Sequence, residues 1–217
     1  VGAMQELTEL QIHECEAAFV YVDLNSFFDM STVERMQLSQ ECFKETAALV
    51  EESVYQFKGV LHTISLDRAV GVWNIATQVS NACEQAATCA LVLSHRLAVL
   101  RRQNRLLSQY FHINIGVVAG LVQYGVFGDG HHKYVGIFGP PISRGIKVAR
   151  ANAAHMTTVA MDEAVRRAVN KIYLAKPIEL LDDGACVYEV IHEGSRREAD
   201  LETQLLVYSK AFELYQK

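Results

Sequence analysis

The sequence predicts an α+β fold with a ferredoxin-like core, in which helices pack against an antiparallel sheet. Apolar, β-branched runs alternate along the chain with longer segments whose apolar residues recur every three or four positions. Two pairs of strand candidates are separated only by short turns, which is typical of antiparallel hairpins. The sequence has no GxGxxG after a strand and no GxxxxGK[ST], so it lacks the usual phosphate-binding loops.

In the first half of the chain, strand and helix candidates alternate. The predicted elements are a strand at 18–24, a helix between a capping box at Ser31 and Glu34 and a stop at Gly59, a hairpin of strands 60–65 and 69–73, and one helix at 81–110. The first helix carries a continuous apolar stripe, which predicts that one of its faces packs on the sheet.

The second half begins with two more strands and ends in a helix. The predicted elements are strands 113–120 and 121–128, a turn at 129–132, a strand at 134–138, a helix from Pro140 to about Asn152, a short strand at 157–160, a short helix at 161–169, a strand at 186–191 and a helical tail at 199–217. The two prolines after Gly139 favour a helix start, because the first N–H groups of a helix have no acceptor within it.

Three regions are expected. Residues 1–16 form an N-terminal extension, whose first four residues resemble a cloning scar, and residues 17–192 form the main domain. Residues 193–217 form a helical C-terminal extension. Its helical pattern runs to the last residue without a capping signal, so we expect it to lead into a larger protein.

Composition narrows the functional classes. The 217 residues carry a formal net charge of −5, and an acidic protein is poorly suited to nucleic acid, whose phosphates need clustered Lys and Arg. Five cysteines without a CxxC pair predict reduced thiols in a cytoplasmic protein rather than a zinc site or a disulfide framework. No apolar run is long enough for a membrane span, so no direct membrane insertion of this segment is expected.

Two aspartates stand out because each lies at the end of a predicted strand. Asp23 follows a buried apolar run, and Asp67 lies in the turn of the first hairpin. Taken singly, each is explained as a turn or capping residue, since turns are a common place for Asp. The adjacent histidines His131 and His132, in the predicted turn at 129–132, are interpreted as a solvated hairpin tip rather than a metal site.

Four segments, in order, resemble the class III nucleotide cyclases. They are VYVDLNSFFDMS, LHTISLDRAVGVW, IGVVAGLVQYGVFGD and VGIFGPPISRGIKVARAN, which begin at residues 20, 61, 115 and 135. The resemblance extends from about residue 17 to 192. It implies the class III cyclase fold and a divergent or degenerate adenylate or guanylate cyclase domain.

The resemblance also implies a two-metal site. In this family two aspartates hold Mg²⁺ or Mn²⁺, which gather the phosphates of a nucleoside triphosphate during cyclisation. The metal-binding positions fall on Asp23, Leu24 and Asp67, and the phosphate-binding segment falls on Asn25, Ser26 and Phe27, with backbone atoms completing the cradle. ATP or GTP is the implied ligand.

The other site positions depart from the family pattern. The two purine-reading positions fall on Thr63 and Gly136, and the ribose-positioning Asn falls on Ser143. The Arg that stabilises the transition state falls on Lys147, which keeps the charge but loses the bidentate fork. Leu66 stands where the family has the Gly before its second metal-binding Asp. These departures predict a degenerate purine site and degenerate catalytic groups.

Two nearby arginines are candidates to replace the lost Arg. Arg150 lies seven residues after Ser143, about two helical turns, and is expected to be too far along the helix. Arg144 is expected to point to a different face. In the family the site lies at a dimer interface, where one subunit supplies the aspartates and the other the Lys, Asn and Arg. This chain therefore resembles a metal-bearing half.

Three functions remain open. The first is a cyclase homology domain of a multidomain signalling protein, impaired by itself, that serves in dimerisation or in nucleotide and metal sensing. The second is the metal-bearing half of a heterodimeric cyclase that makes cyclic AMP or cyclic GMP. The third is a generic ferredoxin-like interaction domain. The implied partner is a second copy of the chain or a complementary cyclase-like domain.

Overall fold

A computed structural model describes residues 12–30, 36–128 and 133–191. The strands are β1 (His13–Asp23), β2 (Val60–Ile64), β3 (Arg68–Trp73), β4 (Ile115–Gly128), β5 (Lys133–Phe138), β6 (Val159–Asp162), β7 (Leu174–Leu180) and β8 (Cys186–Ile191). The helices are α1 (Ser26–Met30), α2 (Met36–Gln56), α3 (Ala82–Gln103), α4 (Arg105–Tyr110), α5 (Pro140–His155) and α6 (Glu163–Val169). The capping box at Ser31 and Glu34, the turn at 129–132 and the tail at 199–217 lie outside the described residues.

The strands form one sheet in the order β2-β3-β1-β4-β6-β8-β7, and β5 pairs with the far end of β4. All described pairings are antiparallel except that of β4 with β6. The central strand β1 is buried continuously from Ala17 to Asp23. A strand buried on both faces needs helices on both faces of the sheet, because its side chains alternate between them.

The two faces of β1 belong to two separate apolar clusters. Val20 and Val22 pack with the residues of α2 and α3, whereas Phe19 and Tyr21 pack with Val148 of α5 and its neighbours. The predicted α+β fold, with an antiparallel sheet and helices packed on it, is confirmed. Asp23 follows the same alternation as Tyr21, and its side chain therefore lies on the α5 face.

Close packing of α5 depends on two glycines that face each other across the helix–sheet boundary. A Cβ atom on Gly116 would lie 2.5 Å from the backbone N of Ala149, and one on Gly145 would overlap the Tyr21 ring. The Tyr21 hydroxyl also donates a hydrogen bond to the Ile142 carbonyl at 3.2 Å. This close approach brings the C-terminal half of α5 near the end of β1.

The structure differs from the sequence prediction most clearly in three regions. The helix predicted at 81–110 is broken at Asn104, whose side chain accepts hydrogen bonds from the N–H groups of Leu106 and Leu107 and so starts α4. The strands predicted at 113–120 and 121–128 form the single long strand β4. The first strand begins at His13 rather than at residue 18.

Strand β7 is absent from the sequence prediction. Within the part of the chain that the structure describes, it is an edge strand that pairs only with β8, and its register shifts between Pro177 and Glu179. A proline inside a strand pattern weakens a sequence-based assignment, and edge strands are where proline is tolerated. Among the helices within the described residues, none combines the length and apolar character that a membrane span requires.

Candidate functional site

Asp23 and Asp67 lie at the adjoining ends of two paired strands. In the antiparallel pairing of β1 with β3, Asp23 is opposite Arg68, so Asp67 stands one residue beyond the pair. The two loops are joined by a backbone hydrogen bond, in which the N–H of Leu24 donates to the carbonyl of Asp67 at 2.9 Å. The loops that carry Asp23 and Asp67 are therefore adjacent and joined through the backbone.

The Asp23 carboxylate is held on both oxygens. Its Oδ1 accepts the backbone N–H of Asn25 at 3.1 Å, which fixes the turn after β1. Its Oδ2 lies 3.8 Å from Nε of Arg150 on α5. The side chain of Asp23 is only 11% exposed, whereas that of Arg150 is 57% exposed. Arg150 therefore lies on the solvent-facing side of the Asp23 carboxylate.

The Asp67 carboxylate has a similar pair of partners. The Ser65 hydroxyl donates to Oδ1, and Nε of Arg68 lies 3.0 Å from Oδ2. The hydrogen bond from Ser65, reinforced by the charge of Arg68, lowers the pKa of Asp67 below its ordinary value. Asp67 is ionised at neutral pH, the form in which a carboxylate binds a cation.

The segment after Asp23 divides into buried side chains and accessible polar ones. Leu24 and Phe27 are buried, and the Phe27 ring packs against Phe43 and Phe111 with centroid distances of 5.4 Å. Asn25 and Ser26 are half-buried. Leu24 and Phe27 can therefore offer only backbone atoms to a ligand, because their side chains anchor the loop in the core.

Gly136, which the resemblance predicts to be a degenerate purine-reading position, is covered by an aromatic ring. A Cβ atom there would lie 2.8 Å from Cδ2 of Phe127. Phe127 in turn contacts Tyr134 and Phe138, with ring centroids 6.1 and 5.2 Å away. The other position, Thr63, is half-buried in β2, next to a β-bulge. A side chain at position 136 would therefore have to displace the Phe127 ring.

Ser143 and Lys147 lie on α5, with partners inside the same chain. The Ser143 hydroxyl donates to the Pro140 carbonyl at 3.1 Å, a bond within the first turn of the helix. Lys147 Nζ lies 4.0 Å from Oδ2 of Asp182 in the β7–β8 loop, and both side chains are well exposed. An exposed pair of this length constrains the Lys weakly.

Arg144 contacts acidic residues far from Asp23. Its guanidinium lies 3.6 Å from Oδ2 of the buried Asp162 and 3.4 Å from Oδ2 of Asp183. Asp162 also accepts the N–H of Val165 and caps α6, and burial raises its pKa. Arg144 therefore ties α5 to the β7–β8 loop, in agreement with the expectation that it points away from the aspartates.

The sequence did not predict the roles of Arg68 and Arg150. Arg68 follows Asp67 directly, and this adjacency was the available signal. Arg150 was expected to lie too far along the helix, because its position was judged by its spacing from Ser143 along α5. Its contact with Asp23 depends on how α5 crosses β1, which no local pattern encodes.

Asp23 and Asp67 offer oxygen donors of the kind that a divalent cation with a phosphate ligand requires. Among residues 12–30, 36–128 and 133–191, no group of three or more His, Cys, Asp or Glu side chains is arranged to hold a metal ion. Mg²⁺ is commonly bound by one or two carboxylates together with substrate phosphates rather than by a complete protein cage. The oxygen donors of Asp23 and Asp67 match that requirement.

Comparison with known proteins identifies similar solved structures. No family model matches the sequence, and no curated protein matches it. The adenylyl cyclase CyaB from P. aeruginosa superimposes with a TM-score of 0.68 at 13% identity, covering 87% of this chain and 98% of that one. The guanylate cyclase domain of RhGC from Catenaria anguillulae, solved in complex with GTP, gives 0.68 at 14%, covering 85% and 100%.

A larger protein contains the same fold. A bacterial light-regulated adenylyl cyclase superimposes with a TM-score of 0.75 at 14% identity, and the match covers 92% of this chain but 58% of that chain. At these identities the similarity establishes the fold. The chain thus has the fold of adenylyl and guanylyl cyclase domains, as its sequence segments predict.

Proposed function

We propose that the chain is a cyclase homology domain that binds a purine nucleoside triphosphate with divalent cations but does not cyclise it as a homodimer. The observation that carries the proposal is the contact between the two aspartate loops, in which Leu24 donates to the carbonyl of Asp67. It holds Asp23 and Asp67 at adjoining strand ends within the fold of cyclase domains. ATP and GTP are the candidate ligands.

In this proposal Asp23 and Asp67 hold Mg²⁺ or Mn²⁺, and the loop after Asp23 contacts the phosphates. Bound divalent ions supply positive charge that offsets the triphosphate. The turn from Leu24 to Phe27 contributes backbone groups and the polar side chains of Asn25 and Ser26. The burial of Leu24 and Phe27 supports this role, since it fixes the loop before a ligand arrives.

The degenerate catalytic and purine-reading positions account for the proposed lack of turnover. Ser143 and Lys147 replace the groups that would position the ribose and stabilise the transition state. Loss of one such group typically costs roughly 10²–10³ in rate, and several losses do not simply multiply. Thr63 and Gly136 offer no family-like contact to the purine edge. A symmetric dimer of this chain is therefore proposed to bind rather than to turn over.

An exposed apolar surface supports a dimerisation role. On the β4–β5 hairpin, Leu121, Tyr134 and Phe138 lie on the same face of the sheet and are exposed, and Tyr134 is 63% exposed. Contiguous exposed apolar groups commonly mark protein interfaces. We propose that this surface meets a second copy or a complementary cyclase-like domain, within a larger cytoplasmic signalling protein. The free thiols of all five cysteines are compatible with that reducing compartment.

Two measurements on the purified chain test the proposal together. Equilibrium binding of ATP and GTP is measured with and without Mn²⁺, and cyclic nucleotide formation is measured under the same conditions. Mn²⁺-dependent binding without detectable product is expected. Appreciable cyclic AMP or cyclic GMP from the chain alone would contradict the proposed inactivity.

A second candidate is the metal-bearing half of a heterodimeric cyclase. It is favoured by the retention of Asp23 and Asp67 alongside the loss at Ser143 and Lys147. Mixing the chain with a complementary domain that carries the missing Lys, Asn and Arg tests it. Activity that appears on mixing and disappears with Asp67→Ala would favour this candidate over the binding module. A generic interaction domain predicts no nucleotide binding at all.

A further inference from the structure

Each of the two aspartates has its own arginine. Arg150 Nε lies 3.8 Å from Oδ2 of Asp23, and Arg68 Nε lies 3.0 Å from Oδ2 of Asp67. The arginines come from different elements, since Arg68 opens β3 and Arg150 lies on α5. Each aspartate is therefore paired with an arginine, and the two arginines come from different elements of the fold.

The other oxygen of each aspartate is held by a local hydrogen bond. Oδ1 of Asp23 accepts the N–H of Asn25, and Oδ1 of Asp67 accepts the hydroxyl of Ser65. These bonds orient each carboxylate so that its Oδ2 faces a guanidinium. Two neighbouring carboxylates repel each other, and opposite charges nearby remove that penalty. The arginines thus supply the positive charge that a pair of bound cations would otherwise supply.

We propose that Arg68 and Arg150 are resident counter-cations of the aspartate pair, which a divalent cation must displace and which then bind phosphate oxygens. The proposal rests on the proposed function, because it assigns a role to groups around the same metal-binding aspartates. Both arginines are partly exposed, with side chains 46% and 57% accessible, so both can swing away from the carboxylates. Guanidinium groups bind phosphate well, since their forked donors match its oxygens.

This arrangement couples metal binding to triphosphate binding. A metal ion alone must displace two guanidinium groups, and it receives only two carboxylate ligands in return. A metal ion with a triphosphate also offers the displaced arginines a new anionic partner. Free Mn²⁺ is therefore expected to bind weakly, and Mn²⁺ with inorganic tripolyphosphate is expected to bind more tightly. Tripolyphosphate isolates the phosphate contacts from any contact with a purine.

The test uses Arg68→Ala, Arg150→Ala and their combination in the full chain. Electron paramagnetic resonance of free Mn²⁺ gives the Mn²⁺ affinity, and calorimetry gives the affinity for tripolyphosphate at saturating Mn²⁺. Arg167→Ala is the matched control, because Arg167 is an exposed helical arginine paired with Glu163 on α6. Arg150→Lys keeps the charge, and urea unfolding checks that each variant is folded.

The two affinities are expected to move in opposite directions. Each alanine variant should bind free Mn²⁺ about threefold to tenfold more tightly, because a competing charge is removed. Each should bind tripolyphosphate more weakly by a similar factor. Arg167→Ala should change neither affinity, and Arg150→Lys should stay nearer to the wild type in both. Mn²⁺ binding that appears only in the double variant would also support the proposal.

Failure of this inference differs from failure of the proposed function. If Asp23→Ala abolishes Mn²⁺ binding while both arginine variants match the wild type, the counter-cation role is wrong and the metal-binding aspartates stand. If Asp23→Ala leaves Mn²⁺ binding unchanged, or if no variant binds Mn²⁺ with or without tripolyphosphate, the proposed function fails and the inference with it.

Discussion

The N–H of Leu24 donates to the carbonyl of Asp67 at 2.9 Å, and this bond joins the two loops that carry the candidate metal ligands. Leu24 is fully buried, so the loop after β1 is anchored in the core while the backbone of Asp67 is fixed to it. The positions of Asp23 and Asp67 are therefore set by the sheet and the core rather than by a ligand. The proposed cation site would use two carboxylates whose positions the fold fixes before any ligand arrives.

Gly145→Ala is expected to destabilise the protein by about 1–3 kcal/mol or more, because an added methyl group overlaps the buried Tyr21 ring. Urea unfolding of the two proteins measures the difference. Ala153→Ser, at an exposed position on the same helix, is the control and should stay within about 0.5 kcal/mol of the wild type. An equal effect of the two substitutions would argue against the tight α5–sheet contact.

Placing an aspartate at Gly136 is expected to destabilise the chain, because the Phe127 ring lies where the new side chain begins. Phe127→Ala should relieve that overlap. The stability cost of Gly136→Asp should therefore be smaller in the Phe127→Ala background than in the wild type, by about 0.5–3 kcal/mol. A double-mutant cycle by urea unfolding measures this coupling, and strictly additive effects would show that Phe127 does not exclude a side chain there.

Asn104→Ala is expected to cost about 0.5–2 kcal/mol, since it removes the acceptor for the first N–H groups of α4. Asn104→Asp keeps that acceptor and should recover most of the loss. Thermal unfolding of the three proteins provides the comparison. If the alanine and aspartate variants are equally destabilised, the cap does not account for the break between α3 and α4.

Glu163→Gln is expected to remove an acid-sensitive part of the stability. Hydrogen bonds from Arg166 and Arg167 lower the pKa of Glu163 to about 2, well below its ordinary value. A lowered carboxyl pKa stabilises the folded state above the unfolded-state pKa, and this contribution is lost as pH falls through the folded-state pKa. The gap in unfolding free energy between wild type and Glu163→Gln should be full above about pH 4.5 and should shrink towards pH 2.

Urea unfolding at several pH values measures that gap. Glu51→Gln, at an exposed position on α2, is the control for a general effect of losing one carboxylate. A gap for Glu163→Gln that stays constant from pH 7 to pH 2 would contradict the assigned role of the Arg166 and Arg167 pairs.

The fold could be predicted from the sequence wherever local pattern and packing agree. The hairpin around Asp67 and the strand at 186–191 have strong β patterns and short or clear boundaries, and both were predicted within a residue or two. The break at Asn104 was missed because the apolar period continues through it. The break is made by a single side-chain cap, which the period does not reveal. Strand β7 was missed because Pro177 interrupts its β pattern. Its pairing with β8 depends on tertiary contacts that a local pattern does not encode.

The sequence placed Asp23 and Asp67 at strand ends, and the structure shows those ends side by side. The metal-binding and phosphate-binding roles of the site residues stay predictions, and the partners of the two carboxylates could not be predicted from the sequence. The ion pair between Arg150 and Asp23 depends on the crossing of α5 over β1, which Gly116 and Gly145 permit. The cover of Phe127 over Gly136 depends on the β4–β5 register, and a sequence pattern does not fix the direction of that ring.

The most direct test of the central claim is calorimetric titration of the wild type and Asp23→Ala with ATP and GTP, with and without Mn²⁺. The account predicts that the wild type binds a nucleotide in the presence of Mn²⁺ and that the variant loses at least tenfold in affinity, about 1.4 kcal/mol, because a ligand of the cation is removed. Binding that is unchanged by Asp23→Ala, or that does not depend on Mn²⁺, would contradict it.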